Sequence, residues 1–286
     1  MVINNSKRKH IDLYLNIGLF YLKISQKINK HSIKAVKYWN DKIKEKFHGF
    51  LTERAKKVDA VIELTSNNLS FLKERNTDKY YLEIFKKTNS FKYITYNYIS
   101  HSQLFCLLAF LMEELIKKRG GFFLHASANK ISENESLLFI GSSGDGKSTI
   151  SNLLNYKYPK IADDISMIYK FENDYYLFPT PIDEKIKINK NNIKLYKIKS
   201  IFLIKKSKEI KLNKFNNIKY LNKKIHSLIR KIDFVNYNDK NYKKHDLFLS
   251  NQLDDFIINK KNDFFKLSFP FDKQKTLIFF DNFIKK

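Results

Sequence analysis

Residues Gly141-Ser142-Ser143-Gly144-Asp145-Gly146-Lys147-Ser148-Thr149 spell a complete G-x-x-x-x-G-K-S phosphate-binding loop, the Walker A pattern. Its three glycines admit backbone conformations closed to other residues. Successive N–H groups can then turn inward toward a polyphosphate, at the positive end of the helix that follows. In that arrangement Lys147 reaches the outer phosphates and the Ser148 hydroxyl ligates Mg²⁺. The pattern therefore implies ATP and Mg²⁺ as cofactors. A Gly/Ser turn with a surface lysine is the plainer explanation, but the flanks weigh against it. Leu137-Leu138-Phe139-Ile140 is a buried-strand run entering the loop, and Thr149 to Leu154 is a helix start leaving it.

Phosphoryl transfer also needs a held metal and a nucleophile positioned in line. Asp163-Asp164 begins sixteen residues beyond Lys147, room for one short helix and a return to the sheet beside the loop. Two adjacent carboxylates on a strand end point to opposite sides. One can face Mg²⁺ while the other faces an acceptor hydroxyl as its base. A solvated turn or helix cap is the bland reading of such a pair; Ile161-Ala162 before it and Ile165 after it favour the strand end. His125, in Leu124-His125-Ala126-Ser127, lies sixteen residues ahead of Gly141, on a strand expected to pair with the one entering the loop. A lone histidine is more often packed core than catalyst. Its place ahead of the loop makes it a third candidate.

The elements that must position these residues can be read coarsely. Residues 1–50 form a basic, apolar-rich extension. Ile11, Leu13, Leu15, Ile17 and Leu19 alternate as in a strand, whereas Leu15, Leu19, Leu22, Ile33, Val36 and Trp39 suit a helix. The length of the segment and its few turn residues favour helix, packed on the domain or on a partner copy, with a basic membrane-facing surface as the sharper alternative. Residues 51–286 read as one kinase domain, with a β-rich part over 51–100 and a catalytic core over 101–286. Val58 to Leu64 and Phe91 to Tyr98 look like strands, and Ser102 to Lys118 is an apolar-faced helix ended by Gly120-Gly121. Phe122 to Asn129 reads as one strand. Ile165 to Phe171 and Tyr175 to Phe178 read as a hairpin, Ile201 to Ile204 as a short strand and Lys273 to Lys286 as a helix. The fold class is α/β with a mixed sheet.

The 286 residues carry 54 Lys+Arg against 29 Asp+Glu, a formal charge of +25. Such a charge suits an acidic partner, nucleic acid or an anionic membrane. Only Arg8, Arg54, Arg75, Arg119 and Arg230 are arginines, and lysine is spread over the whole chain. Base readout relies on arginine forks and clustered basic residues, so the composition argues against nucleic acid. Cys106 is the only cysteine, which leaves no disulfide framework and no cysteine-based zinc site. The N-terminus lacks a secretory pattern, and the longest apolar run, Leu104 to Ile116, is too short to span a bilayer. A cytoplasmic protein is expected.

The stretch Gly120-Gly121-Phe122-Phe123-Leu124-His125-Ala126-Ser127, then Gly141 to Thr149, then Ala162-Asp163-Asp164 resembles the HPr kinase/phosphorylase-related serine kinases, which have the phosphoenolpyruvate-carboxykinase-like P-loop fold. The likeness covers roughly residues 120–170, continues more weakly through Pro179-Thr180-Pro181 and Ile201 to Lys206, and leaves residues 1–100 unmatched. It implies that His125 is the active-site histidine, Lys147 the phosphate-gripping lysine, and Ser148 a Mg²⁺ ligand. It likewise implies that Asp163 takes the proton from the acceptor serine and that Asp164 stands on the metal side. The family's downstream acidic metal ligand falls to Glu184, with Asp183 as the alternative, and Arg230 is the only arginine after the loop. The glycine-rich signature around that acid is missing here. These departures point away from HPr itself and from the phosphorylase reaction, toward divergent members that act on other serine-bearing peptides or molecules. Relatives often assemble, so a homo-oligomer is implied as well.

Two function classes follow. One is an ATP- and Mg²⁺-dependent kinase acting on a serine hydroxyl of a peptide, protein or small molecule. The other is a nucleotide-binding regulatory protein of the same fold without phosphotransfer.

Overall fold

The computed structural model describes residues 10–27, 33–54, 57–65, 85–86, 91–96, 101–183, 186, 193–215, 217–229 and 239–285. The chain divides into two compact units, Met1–Leu115 with Ile232–Val235, and Ile116–Lys231 with Asn236–Lys286.

In the first unit, β1 (His10–Ile17) and β2 (Phe20–Lys27) form an antiparallel hairpin closed by two residues, Gly18 and Leu19. The preference for helix at the start of the chain is thus corrected over these residues. The alternating Leu13, Leu15 and Ile17 are buried, so the period of two prevails over the helical spacing of Leu15, Leu19 and Leu22. The helix comes later, as α1 (Ile33–Lys46). β3 (Leu51–Thr52), β4 (Ala60–Thr65), β5 (Phe85–Lys86) and β6 (Lys92–Tyr96) complete a mixed six-stranded sheet in the order β3-β1-β2-β4-β6-β5. β1 and β2 thus pair with strands that lie on the far side of residue 50, β1 with β3 and β2 with β4. The apolar helix is α2 (His101–Lys117), and Tyr93 donates to Glu114 on it at 2.5 Å. Among the described residues no helix is long and apolar enough to cross a membrane.

The second unit is built on a nine-stranded mixed sheet: β7 (Phe122–Leu124), β8 (Ala126–Lys130), β9 (Glu135–Ile140), β10 (Lys160–Ala162), β11 (Ser166–Phe171), β12 (Asp174–Phe178), β13 (Tyr196–Lys206), β14 (Lys211–Lys214) and β15 (Phe264–Phe269). Between them run α3 (Lys147–Leu154), α4 (Ile218–His226) and α5 (Asp239–Asn259), with α6 (Lys273–Ile284) at the end.

The expected single strand over 122–129 is broken at His125, and its partner is broken at the same level. β7 pairs antiparallel with β11 (Leu124 opposite Ser166), and β8 pairs antiparallel with β10 (Ala128 opposite Ala162). β7–β8 and β10–β11 are thus two long neighbouring strands, each interrupted where His125 faces residues 163–165. The outer edge of β11 pairs with β12, β12 with β13, β13 with β9 and β9 with β8, so the pairings close into a ring. β13 also carries β15 in parallel along its second half. It is far longer than the expected Ile201–Ile204 because Tyr196 and Ile198 are buried as well.

Both faces of β9 are covered, which explains its unbroken apolar run. Leu137 and Phe139 pack with Ile150, Leu154, Phe202 and Phe280, whereas Leu138 and Ile140 join Ile201, Leu253 and Phe256 on the other side. Each such side chain contributes roughly 1.5–3 kcal/mol on burial, enough to fix the level at which the loop leaves the sheet.

Candidate functional site

The glycine-rich loop leaves β9 at Gly141 and enters α3 at Lys147. Gly144 and Gly146 have φ of 88° and 102°, the left-handed region that favours glycine. Gly146 is the N-cap of α3, whose first turn carries no side-chain cap and no acidic residue. Ser143 and Gly144 form the exposed tip, while Ser148 and Thr149 are half-buried in the first helical turn. Lys147 is buried, its Nζ donating to the Gly141 and Ser142 carbonyls at 3.0 Å each. Asp145 Oδ2 accepts from the Ser142 N–H at 2.5 Å, folding over Gly141, where a Cβ would stand 3.0 Å from that carboxylate.

Register brings the other candidates to this end of the sheet. Ala126 lies opposite Ile140, so His125 ends level with Gly141. Ala162 lies opposite Ala128 on the other edge of β8, so Asp163 and Asp164 emerge beside the same strand end. Three neighbouring strand ends span about 10 Å. His125 Nδ1 stands 3.0 Å from Asp164 Oδ1. Ser127 Oγ donates to the Lys147 carbonyl at 2.9 Å, tying the histidine's strand to the first residue of α3. Asn129, fully buried, ties the same strand to Ser151, with Nδ2 3.0 Å from its carbonyl and Oδ1 2.7 Å from its hydroxyl.

The two aspartates sit differently. Asp163 is only 4% exposed; its Oδ2 lies 3.3 Å from Lys160 Nζ, and its Oδ1 has no hydrogen-bond partner among the described residues. The side chain of Asp164 is 32% exposed. Their turn is held by Asp183, whose Oδ2 accepts from the N–H of Asp163 at 2.6 Å and of Asp164 at 3.1 Å. The expected metal ligand Glu184 lies outside the described residues, as does Arg230. The acid brought to the site is its neighbour Asp183.

Sequence reasoning missed the residues that act through the backbone, Ser127 and Asn129, and two lysines. Lys224 Nζ lies 2.5 Å from Ser142 Oγ. The stem of Lys206 runs along Gly146, where an added Cβ would come within 3.1 Å of it. Polar residues at Ser127 and Asn129, inside an otherwise buried strand, were the available signal. Nothing distinguishes Lys224 from the many other lysines of the chain.

Among the described residues no three histidines, cysteines or acids are grouped as a metal cage. Mg²⁺ asks for none: it takes one or two carboxylates, keeps several waters and completes its shell with phosphate oxygens. A hydroxyl at Ser148 and the carboxylates of the 163–164 turn are ligands of the right hardness.

No family model matches the chain, and no curated protein matches it. Among solved structures it is similar to the HPr(Ser) kinase/phosphatase from Coxiella burnetii, at 12% identity over 57% of this chain and 97% of that one, with a TM-score of 0.28. A likeness at that identity and score has no bearing on the chemistry of the site. What stands is a mixed α/β protein whose glycine-rich loop, histidine and paired aspartates meet at one end of a mixed sheet.

Proposed function

We propose that the protein is an ATP- and Mg²⁺-dependent kinase that transfers the γ-phosphate to a serine hydroxyl of a peptide, protein or small molecule. The observation that carries this reading is the register of β10, β8 and β9, which delivers Asp163-Asp164, His125 and the loop to adjacent strand ends. Catalysis of phosphoryl transfer is mostly positioning and charge stabilisation. In this reading the loop amides and Lys147 would grip the phosphates, Ser148 and a carboxylate of the 163–164 turn would hold the metal, and the second carboxylate would take the acceptor's proton. Bound there, Mg²⁺ would supply neutralisation of the developing phosphate charge.

The resemblance gives the base to Asp163, whose Oδ1 accepts no hydrogen bond among the described residues. Exposure favours a second assignment. Asp164 is the carboxylate that solvent reaches, and the His125 imidazole lies against it. Incubation with ATP, Mg²⁺ and a panel of serine-bearing acceptors, read by phosphate transfer, tests the whole. Lys147→Ala should abolish nucleotide binding. Asn in place of the base should lower turnover by about 10²–10⁴-fold with nucleotide affinity kept, and comparing Asp163→Asn with Asp164→Asn decides which residue it is. Nucleotide binding by the wild type without transfer to any acceptor would overturn the kinase reading in favour of a nucleotide-gated regulatory protein.

A further inference from the structure

We propose that Lys224 is a phosphate-contacting residue of this site and makes it prefer a nucleoside triphosphate to a diphosphate. The inference rests on the nucleotide-binding part of the reading above. It starts from the segment 217–229, which touches the site twice. Asn217 caps α4 by accepting from the Tyr220 N–H at 2.9 Å, and Leu221 and Ile225 bury one face of that helix. Asp254 of α5 takes the other side, accepting from Asn222 and lying 3.3 Å from His226 Nε2. Past the helix, the Leu228 carbonyl accepts from the His125 N–H at 2.8 Å, and Ile229 bridges to Leu124. α4 is therefore capped at its start, and the chain just beyond its end is tied to the backbone of His125.

So held, α4 places the Lys224 ammonium 2.5 Å from Ser142 Oγ. The same serine's carbonyl receives Lys147 Nζ at 3.0 Å. Two ammonium groups thus converge on one loop residue, and Lys206 brings a third lysine stem along Gly146. The loop itself offers one carboxylate, Asp145, already bonded to the Ser142 N–H. Like charges gathered on one loop repel one another, and a polyanion bound at that loop converts the repulsion into attraction. Lys224 meets the loop at the residue that also holds Lys147, and Lys147 is the group that reaches the outer phosphates. The charge of Lys224 accordingly falls on the γ-phosphate, which only the triphosphate has. A lysine acts there as a point charge.

The test is titration of the full chain, in Mg²⁺, with fluorescent ATP and fluorescent ADP. Wild type is compared with Lys224→Ala, Lys224→Arg, Lys147→Ala, and Lys223→Ala as an exposed control on the same helix. Lys224→Ala should weaken ATP about tenfold while leaving ADP almost unchanged. Lys224→Arg should restore the preference, and Lys223→Ala should change neither nucleotide. Equal losses for both nucleotides, or no loss, would overturn the role of Lys224 while leaving the loop's function standing, provided that Lys147→Ala abolishes binding. Wild type that binds neither nucleotide would overturn the function and this inference together.

Discussion

Asp183 has no expected part in proton transfer, yet it fixes the shape of the site. Its carboxylate spans two consecutive amides, those of Asp163 and Asp164, and it is only 4% exposed. Removing the acceptor leaves the buried Asp163 N–H unpaired, at about 1–3 kcal/mol, and takes the partner from the half-buried Asp164 N–H as well. Asp183→Ala should therefore lower the unfolding free energy measurably in urea titrations and reduce transfer. Asp183→Asn keeps an oxygen acceptor and should recover most of the stability. Such a keystone was only half legible in the sequence. The pair of acids at 183 and 184 could be named, but that Asp183 turns toward Asp163 depends on the backbone between 180 and 183, where Asp183 N–H reaches the Thr180 carbonyl. Composition and spacing carry no record of that turn.

At the scale of elements, the strand–loop–helix through residues 135–154 was readable because both of its signals are local: an apolar run buried on both faces and glycines followed by helix formers. Gly146 joins the two signals. An added Cβ would stand 2.9 Å from Phe269 Cζ, at a φ of 102° that L residues rarely adopt. Gly146→Ala should cost about 1–3 kcal/mol, seen as a lower melting temperature, and should weaken nucleotide binding through the displaced start of α3. The broken strands were not readable. Phe122 to Asn129 has the composition of one strand, and only its partners, β11 on one half and β8's neighbours on the other, show that it is two. The first hairpin is ambiguous in the sequence for a related reason. Leu15 and Leu19 fit a helical spacing with Leu22 and an alternating one with Leu13 and Ile17, and strand pairing, of β1 with β2 and of β2 with β4, decides between them.

At the scale of the whole molecule, the second unit is knit by carboxylates whose charge must be kept. Burial raises the Asp255 carboxyl, but hydrogen bonds from Lys170 and Tyr175 outweigh it and hold the group below its ordinary value. For Asp174, burial is likewise outweighed by Lys197, the Tyr175 N–H and Lys260. These pairs join β11, β12, β13 and α5. A carboxyl lowered on folding stabilises above its unfolded value, 3.8 for these groups, and that contribution is withdrawn as the pH falls through the folded value. Stability from urea unfolding should accordingly be level from neutrality down to about pH 5 and fall steeply below about pH 4. Asp255→Asn should be less stable than wild type at neutrality and lose less on acidification. Burial also pushes the Tyr169 and Tyr196 hydroxyls up from 10 to about 12.

The ring of pairings passes from β7 to β8 through a single residue, His125. A joint of that length has no slack. Inserting or deleting one residue there would slide one half-strand against its partner and turn every side chain of that half to the opposite face. Loops that carry chemistry usually absorb changes of chain length. In this molecule the imidazole sits at the position where the chain tolerates none.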